Sequence, residues 1–278
     1  MYRLLSIELQ KIYQNRSSKI LTIVYFVILT FIAFIASIEF NIGKESFRIA
    51  DQGIFNFPYI WHFNTFIASF LKIFLAIVIV SMMSNEYSYG TLKQNLIDGL
   101  SKKEFILSKV YTVVLFSLVS TVFIFIISLL LGLSFSAYTE PSIIFSDLSY
   151  LIAYFVKLIG FFSFCLFLGI LVKRSAFALG FLFVWFILEL IFYSVLRKYF
   201  FSNEVAENIF NLFPLQSMSN VIVEPFTRLS VVKNIETAVG GMETVRNYDV
   251  TLLSIVVVLS WAVIFVLMSY KLLQKRDL

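Results

Sequence analysis

Three ionisable residues stand inside otherwise apolar runs of this chain: Lys72, Lys157 and Glu189. A charge at mid-bilayer costs about 3 kcal/mol on insertion scales, so each must face protein, water or an opposite charge. The chemistry open to them is ion pairing, or the binding of an ion or proton. Glu189 is expected to pair with Lys72 or Lys157 in the outer half of a helical bundle, beside a substrate path. At 1.5 Å per residue all three fall about 10 to 14 Å from the external ends of their helices. The alternative is that both lysines snorkel outward along their methylene stems while Glu189 bonds locally.

A second constellation is the segment 85–109, NEYSYGTLKQNLIDGLSKKEFILSK, a charged interruption between two apolar runs. Gly90 followed by Thr91 supplies a break and an N-cap. Leu92, Leu96 and Ile97 share a helical face, Gly99 ends the run, and Ser101 with Glu104 has the spacing of a capping box. The pattern predicts two short helices. Connections in bundles commonly take about 2 to 8 residues, so this longer one is expected to present a surface.

Catalytic chemistry finds no support in the sequence. Gly43-Lys44 lacks the upstream glycine and the following hydroxyl residue of a phosphate loop. With His62 as the one histidine, neither a Ser/His/Asp set nor an HExxH run can be assembled. Beside Trp61 and Tyr59, His62 reads as part of an interfacial aromatic belt. The single cysteine, Cys165, rules out an internal disulfide and a Cys/His zinc site. The chain is therefore not expected to be an enzyme or to carry a cofactor or metal of its own.

The elements that must position these residues follow from composition. Hydrophobic residues make up 60% of 278 and charged residues 14%, with mean hydropathy +0.90. A soluble domain is nearer half apolar and a quarter charged, so this is an integral membrane protein. Six runs reach the length of about 20 residues that a spanning helix requires: 20–40, 63–84, 110–133, 148–172, 176–196 and 250–273. Their length, with no period-two alternation, argues against barrel strands. The fold class is an all-α membrane protein with six transmembrane helices in one domain, 20–278. It includes a long external segment, 197–249, before the last span, with helices that dip into the outer leaflet and a turn or hinge at Gly240-Gly241.

Residues 1–19 are expected to form an interfacial helix, because Tyr2, Leu5, Leu9 and Ile12 recur at helical spacing while Arg3, Glu8, Lys11 and Gln14 take the other faces. The first span reads as an uncleaved anchor. Thirteen Lys and Arg flank the spans on the side of both termini, against Lys44 and Arg48 in the short loops opposite. Both termini are accordingly placed in the cytoplasm. The net charge of +5 reflects this topology and calls for no nucleic acid.

Glu86, Gly90-Thr91, the Leu96-Ile97 pair, Ser101-Lys102 and Ile106-Leu107-x-Lys109 resemble the E-x3-G-T, L-L, S-R/K, I-L-x-K pattern that permeases of the ABC-2 transporter family carry after their second span. The interfacial leading helix, six spans and long external segment match that family's plan. The resemblance implies the membrane subunit of an ATP-driven transporter, most readily an exporter, in the cytoplasmic (inner) membrane of a bacterium. It implies a second permease subunit, identical or different, and a separate ABC ATPase that binds ATP and Mg. The segment 85–109 would hold the coupling helix, docking on that ATPase through Glu86, Gly90, Thr91, Leu96, Ile97, Ser101, Lys102 and Lys109. The family often has Pro before the Ser-Arg pair, where this chain has Gly99-Leu100, which leaves the entry angle of the second short helix open. An ion-coupled secondary transporter using Lys72, Lys157 and Glu189, or a non-transporting membrane scaffold, are the competing classes.

Overall fold

The computed structural model describes residues 2–35, 38–42, 45–48, 53–228 and 247–276. The chain folds as a helical bundle. α1 (Tyr2–Gln14) and α2 (Arg16–Ile35) meet at a bend of 92°, and α3 (Tyr59–Ser88), α4 (Thr91–Ile97) and α5 (Lys102–Phe135) follow a hairpin. The short α6 (Pro141–Ile144) leads into α7 (Ser149–Val172), and α8 (Ser175–Val195) ends in a π turn, Leu196–Phe200. Next come α9 (Asn203–Phe210), α10 (Pro214–Asn220) and finally α11 (Leu252–Gln274).

Five helices are long and apolar enough to cross a membrane, α3, α5, α7 with α6, α8 with its π turn, and α11. The bent pair α1 and α2 brings the number to as many as six. The protein is thus a multi-pass membrane protein, all-helical in its spans. One element departs from the all-helical expectation. The first span stops at Ile35, short of residue 40, and an antiparallel hairpin, β1 (Glu39–Ile42) with β2 (Glu45–Arg48), pairs Glu39 opposite Arg48.

α7 is the axis of the bundle: eighteen of its 24 residues are buried, and α3, α5, α8 and α11 pack around it. α8 is an edge helix, its buried residues being Ala178 and Glu189. Close approach to α7 relies on small residues, the usual device where lipid supplies no hydrophobic drive between helices. A Cβ on Gly160 would stand 2.6 Å from Val258 Cγ1 of α11, and one on Gly169 would stand 3.1 Å from Met83 Cβ of α3. Tyr25 of α2 reaches the axis through a 2.9 Å hydrogen bond between its hydroxyl and that of Tyr154.

Two further expectations are corrected. The two short helices of segment 85–109 become one: α4 stands alone, whereas the turn that begins at Lys102 runs without a break into the third span, giving α5 its 34 residues. The predicted capping box is present, Ser101 Oγ accepting from Glu104 N at 3.2 Å and Glu104 Oε2 accepting from Ser101 N at 3.0 Å. Trp61 and His62 do not face headgroups. Both are fully buried, with Trp61 Nε1 donating to Ile144 O and His62 stacked on Tyr150 at 4.2 Å. In the segment expected to hold helices that dip into the outer leaflet, α10 packs against α7, α8 and α11. Gly240-Gly241 lies outside the described residues.

Gly160→Ala should cost about 1 to 3 kcal/mol of stability, the range for an overpacked core. Denaturant unfolding in detergent checks this, with Gly160→Ala/Val258→Ala expected to lose less than the sum of the two single changes. Additive losses would mean that the crowding lies elsewhere.

Candidate functional site

α3 and α5 contain 30 and 34 residues, about 45 and 51 Å at 1.5 Å per residue. Both overshoot a hydrocarbon slab of about 30 Å, and the overshoot at the termini end of the bundle carries Glu86 and Lys109. Across from them lies α1, turned 92° from α2. Four charges meet there. Lys109 Nζ lies 2.7 Å from Glu86 Oε1 and 2.5 Å from Glu8 Oε2, and Lys11 Nζ lies 2.7 Å from Glu86 Oε1 and 3.8 Å from Glu8 Oε1. Two carboxylates and two ammoniums leave no net charge.

Burial makes the cluster consequential. Lys109 is 0% exposed and Glu8 and Glu86 are each 2% exposed. Removing water from an ion pair is costly, and only close geometry with further hydrogen bonds offsets it. Those bonds are present: Thr91 Oγ1 donates to Glu86 Oε2 at 2.6 Å, Asn95 Nδ2 to the same oxygen at 3.4 Å, and Ser108 Oγ to Glu8 Oε1 at 3.3 Å. The ammonium of Lys109 also lies 4.9 Å from the centre of the Phe105 ring.

The E-x3-G-T spacing acquires a physical reason here. Gly90 sits at φ 68°, the left-handed region that favours glycine, although a Cβ there would meet nothing within 4 Å. The requirement is conformational. That turn reverses the chain after α3 so that Thr91, the first residue of α4 and not its N-cap, points its hydroxyl back at Glu86. Gly99, at φ 96°, makes the corresponding turn before α5.

The residues expected on one docking surface therefore divide into two groups. Glu86 and Lys109 are buried inside the bundle and belong to no outer surface, because each is the other's partner. Leu96 is half-buried against the core, whereas Ile97 is 76% exposed at the tip of α4. Gly90 and Ser101 are exposed, and Lys102 is turned toward the C-terminal residues, donating to Arg276 O at 3.0 Å and Gln274 O at 3.3 Å. Arg276 continues the connection, donating to Tyr87 Oη at 2.7 Å and Ile170 O at 2.6 Å.

Glu8 and Lys11 were assigned to the outward faces of α1, and Glu8 proves to face the core. The signal was present: at about 100° per residue, Glu8 lies roughly 40° from Ile12 and 60° from Leu5, within the apolar stripe. A carboxylate in such a stripe requires a basic partner, which the fold supplies in Lys109.

The intramembrane charges do not pair as expected. Glu189 bonds locally, accepting from Trp185 Nε1 at 2.9 Å, Leu215 N at 3.0 Å and Gln216 N at 3.1 Å. Its carboxylate thus closes the N-terminus of α10, where Phe213-Pro214 starts the helix and leaves amides to be satisfied. Lys157, 3% exposed, donates to Ser219 O at 3.3 Å in the last turn of the same helix. α10 stands between the two charges, anion at its positive end and cation at its negative end. Lys72 lies 4.6 Å from the centre of the Phe161 ring.

Glu86→Gln should cost about 3 to 5 kcal/mol, since it leaves the buried ammonium of Lys109 and the part-exposed one of Lys11 sharing the single carboxylate of Glu8. Adding Lys109→Met should recover part of that loss, with a coupling of at least about 1 kcal/mol in a double-mutant cycle. Full additivity would show that the pair is not direct. Glu189→Ala should speed hydrogen exchange at the Leu215 and Gln216 amides, while Lys72→Met leaves it unchanged. Equal acceleration by both would mean that the two residues share one interaction.

Comparison with known proteins identifies a relative and a family. The chain is 37% identical over 79 residues to the uncharacterized protein YhcI of Bacillus subtilis (strain 168). That alignment covers 27% of this chain and 25% of the relative. A family model described as a protein of unknown function, DUF2705, matches residues 46–278, and the chain belongs to that family.

Proposed function

We propose that this chain is the membrane permease subunit of an ATP-driven ABC transporter, an exporter seated in the inner membrane of a bacterium with both termini in the cytoplasm. ATP and Mg belong to a separate ATPase subunit, and a second permease subunit completes the membrane part. The observation that carries this reading is α4 itself, which holds Ile97 76% exposed at its tip while its base is bonded into the buried cluster. A seven-residue helix is far below the length of about 12 to 15 residues that is even marginally stable alone. α4 is held by Glu86, and through Glu86 it is joined to α1, α3 and α5. A partner that grips Ile97 would move three elements together, as a coupling helix requires.

The ion-coupled alternative needs an intramembrane group with open bonding capacity. Glu189 already accepts three N–H donors and Lys157 already donates to a carbonyl, which favours a structural duty for both and leaves that alternative with Lys72 alone. A passive scaffold would present Ile97 equally well, but the cluster beneath it would then have no mechanical purpose.

The test is purification of the tagged chain from its native membrane in mild detergent, with identification of the proteins that accompany it. An ATPase subunit should come with the native chain and be lost with Ile97→Asp, a change at an exposed position that leaves the cluster intact. Absence of any ATPase from the native preparation would overturn the reading, as would full retention by the variant.

A further inference from the structure

A cavity of about 240 Å³ opens between α3, α7, α8 and α10, with Lys72, Phe161, Phe183, Phe186, Glu189 and Gln216 on its walls. We propose that it is a binding site for the anionic group of an amphiphile, with Lys72 as the counter-charge. This inference requires no ATPase partner and stands apart from the transport reading.

Two of the three intramembrane charges are already answered. The oxygens of Glu189 take three N–H donors, and Lys157 donates to Ser219 O. Lys72 differs from both. Among the described residues it has no hydrogen bond and no carboxylate within 4 Å; its ammonium lies 4.6 Å from the centre of the Phe161 ring, within electrostatic reach of the Cys165 thiol and of the like charge on Lys157. A ring face replaces only part of an ammonium's hydration, and intramembrane charges are found facing partners or functional pathways. The cavity supplies the space for an oxyanion that would complete the set.

Depth and lining define the class of ligand. Lys72 stands 13 residues beyond Tyr59, the first residue of α3, about 20 Å along the helix and about 14 Å beyond Phe63, where the apolar run begins. A free hydrated anion does not reach such depth through hydrocarbon, so the charge must travel on an apolar body. α8 provides the side entrance: it is the edge helix, and Phe183 and Phe186 are 63% and 47% exposed on it. The cavity has room for about eight waters at roughly 30 Å³ each, enough for a head group and a few methylenes, with the remaining tail lying along α8. Glu189 on the same walls disfavours a second negative charge. The fitting ligand is a monoanionic head, a carboxylate or a phosphodiester, on an acyl chain.

The experiment is a titration of the purified protein in non-ionic detergent with dibromostearate, following quenching of tryptophan emission. Trp185 is bonded to Glu189 on the cavity wall, and the same titration of Trp185→Phe gives the quenching of Trp61 and Trp261 to be subtracted. The uncharged dibromostearyl alcohol is titrated in parallel. The acid should bind at least about tenfold more tightly than the alcohol. Lys72→Met should abolish that difference, and Lys72→Arg should keep it. Equal binding of acid and alcohol to the native protein would overturn the proposal with no variant needed, as would an unchanged preference in Lys72→Met. Millimolar inorganic phosphate should leave the titration unaltered. Displacement by phosphate would assign the site to a free anion and overturn the amphiphile.

Discussion

Neither hydrocarbon nor the packed interior of the bundle holds water to satisfy a polar group, so a charge carried into either needs a partner from the chain or from a bound ligand. The cluster of Glu8, Lys11, Glu86 and Lys109 is the most demanding instance. Lys109 and Glu8 are 101 residues apart in sequence, and Lys11 and Glu86 are 75 apart, so the ion pairs exist only when α1, α3 and α5 are all in place. Breaking one partner away leaves a buried charge uncompensated, a cost far above that of a surface pair. The geometry of the termini end of the bundle therefore follows from this one network, including the turn of α1 and the seating of α4.

The same constraint is met differently deeper in the bundle. Glu189 and Lys157 have opposite charges, yet they do not meet. A short helix is placed between them so that its amide end faces the carboxylate and its carbonyl end faces the ammonium, the arrangement a helix dipole favours. The solution serves two purposes, because the exposed peptide groups at the ends of α10 needed partners as much as the side chains did. It also fixes α10 against α7 and α11 and gives the edge helix α8 a polar anchor, Glu189, where its side chains otherwise point outward.

The legible part of this architecture was whatever the chain specifies locally. Apolar run length gave the spans, and the Ser101/Glu104 capping box was readable because both partners lie within one turn. Gly90 and Gly99 were readable as breaks, because positive φ is a property of one residue. What sequence did not supply was the identity of distant partners. Glu8 was set among polar neighbours because nothing local reveals Lys109, and the pairing of Glu189 was sought among side chains when its donors were an indole and two backbone amides. The 85–109 segment was divided into two short helices because its polarity changes before its helix does. α5 carries polar Lys102 to Glu104 and apolar residues in one uninterrupted element.

The two polar centres also set where the bundle can yield. α7 is buried along most of its length and is the element against which α3 and α5 pack, so displacing it would disturb every neighbouring contact. The cluster couples α1, α3, α4 and α5 at one end, and a load applied to α4 is shared among them instead of unwinding a helix of seven residues. Compliance must then lie at the periphery, in α8, which buries only Ala178 and Glu189. The cavity holding Lys72 lies against that helix. A small shift of α8 would alter the walls of the cavity while leaving the axis and the charge cluster undisturbed. A site with one wall on a rigid core helix and the other on a loosely held edge helix can open toward lipid without unfolding anything.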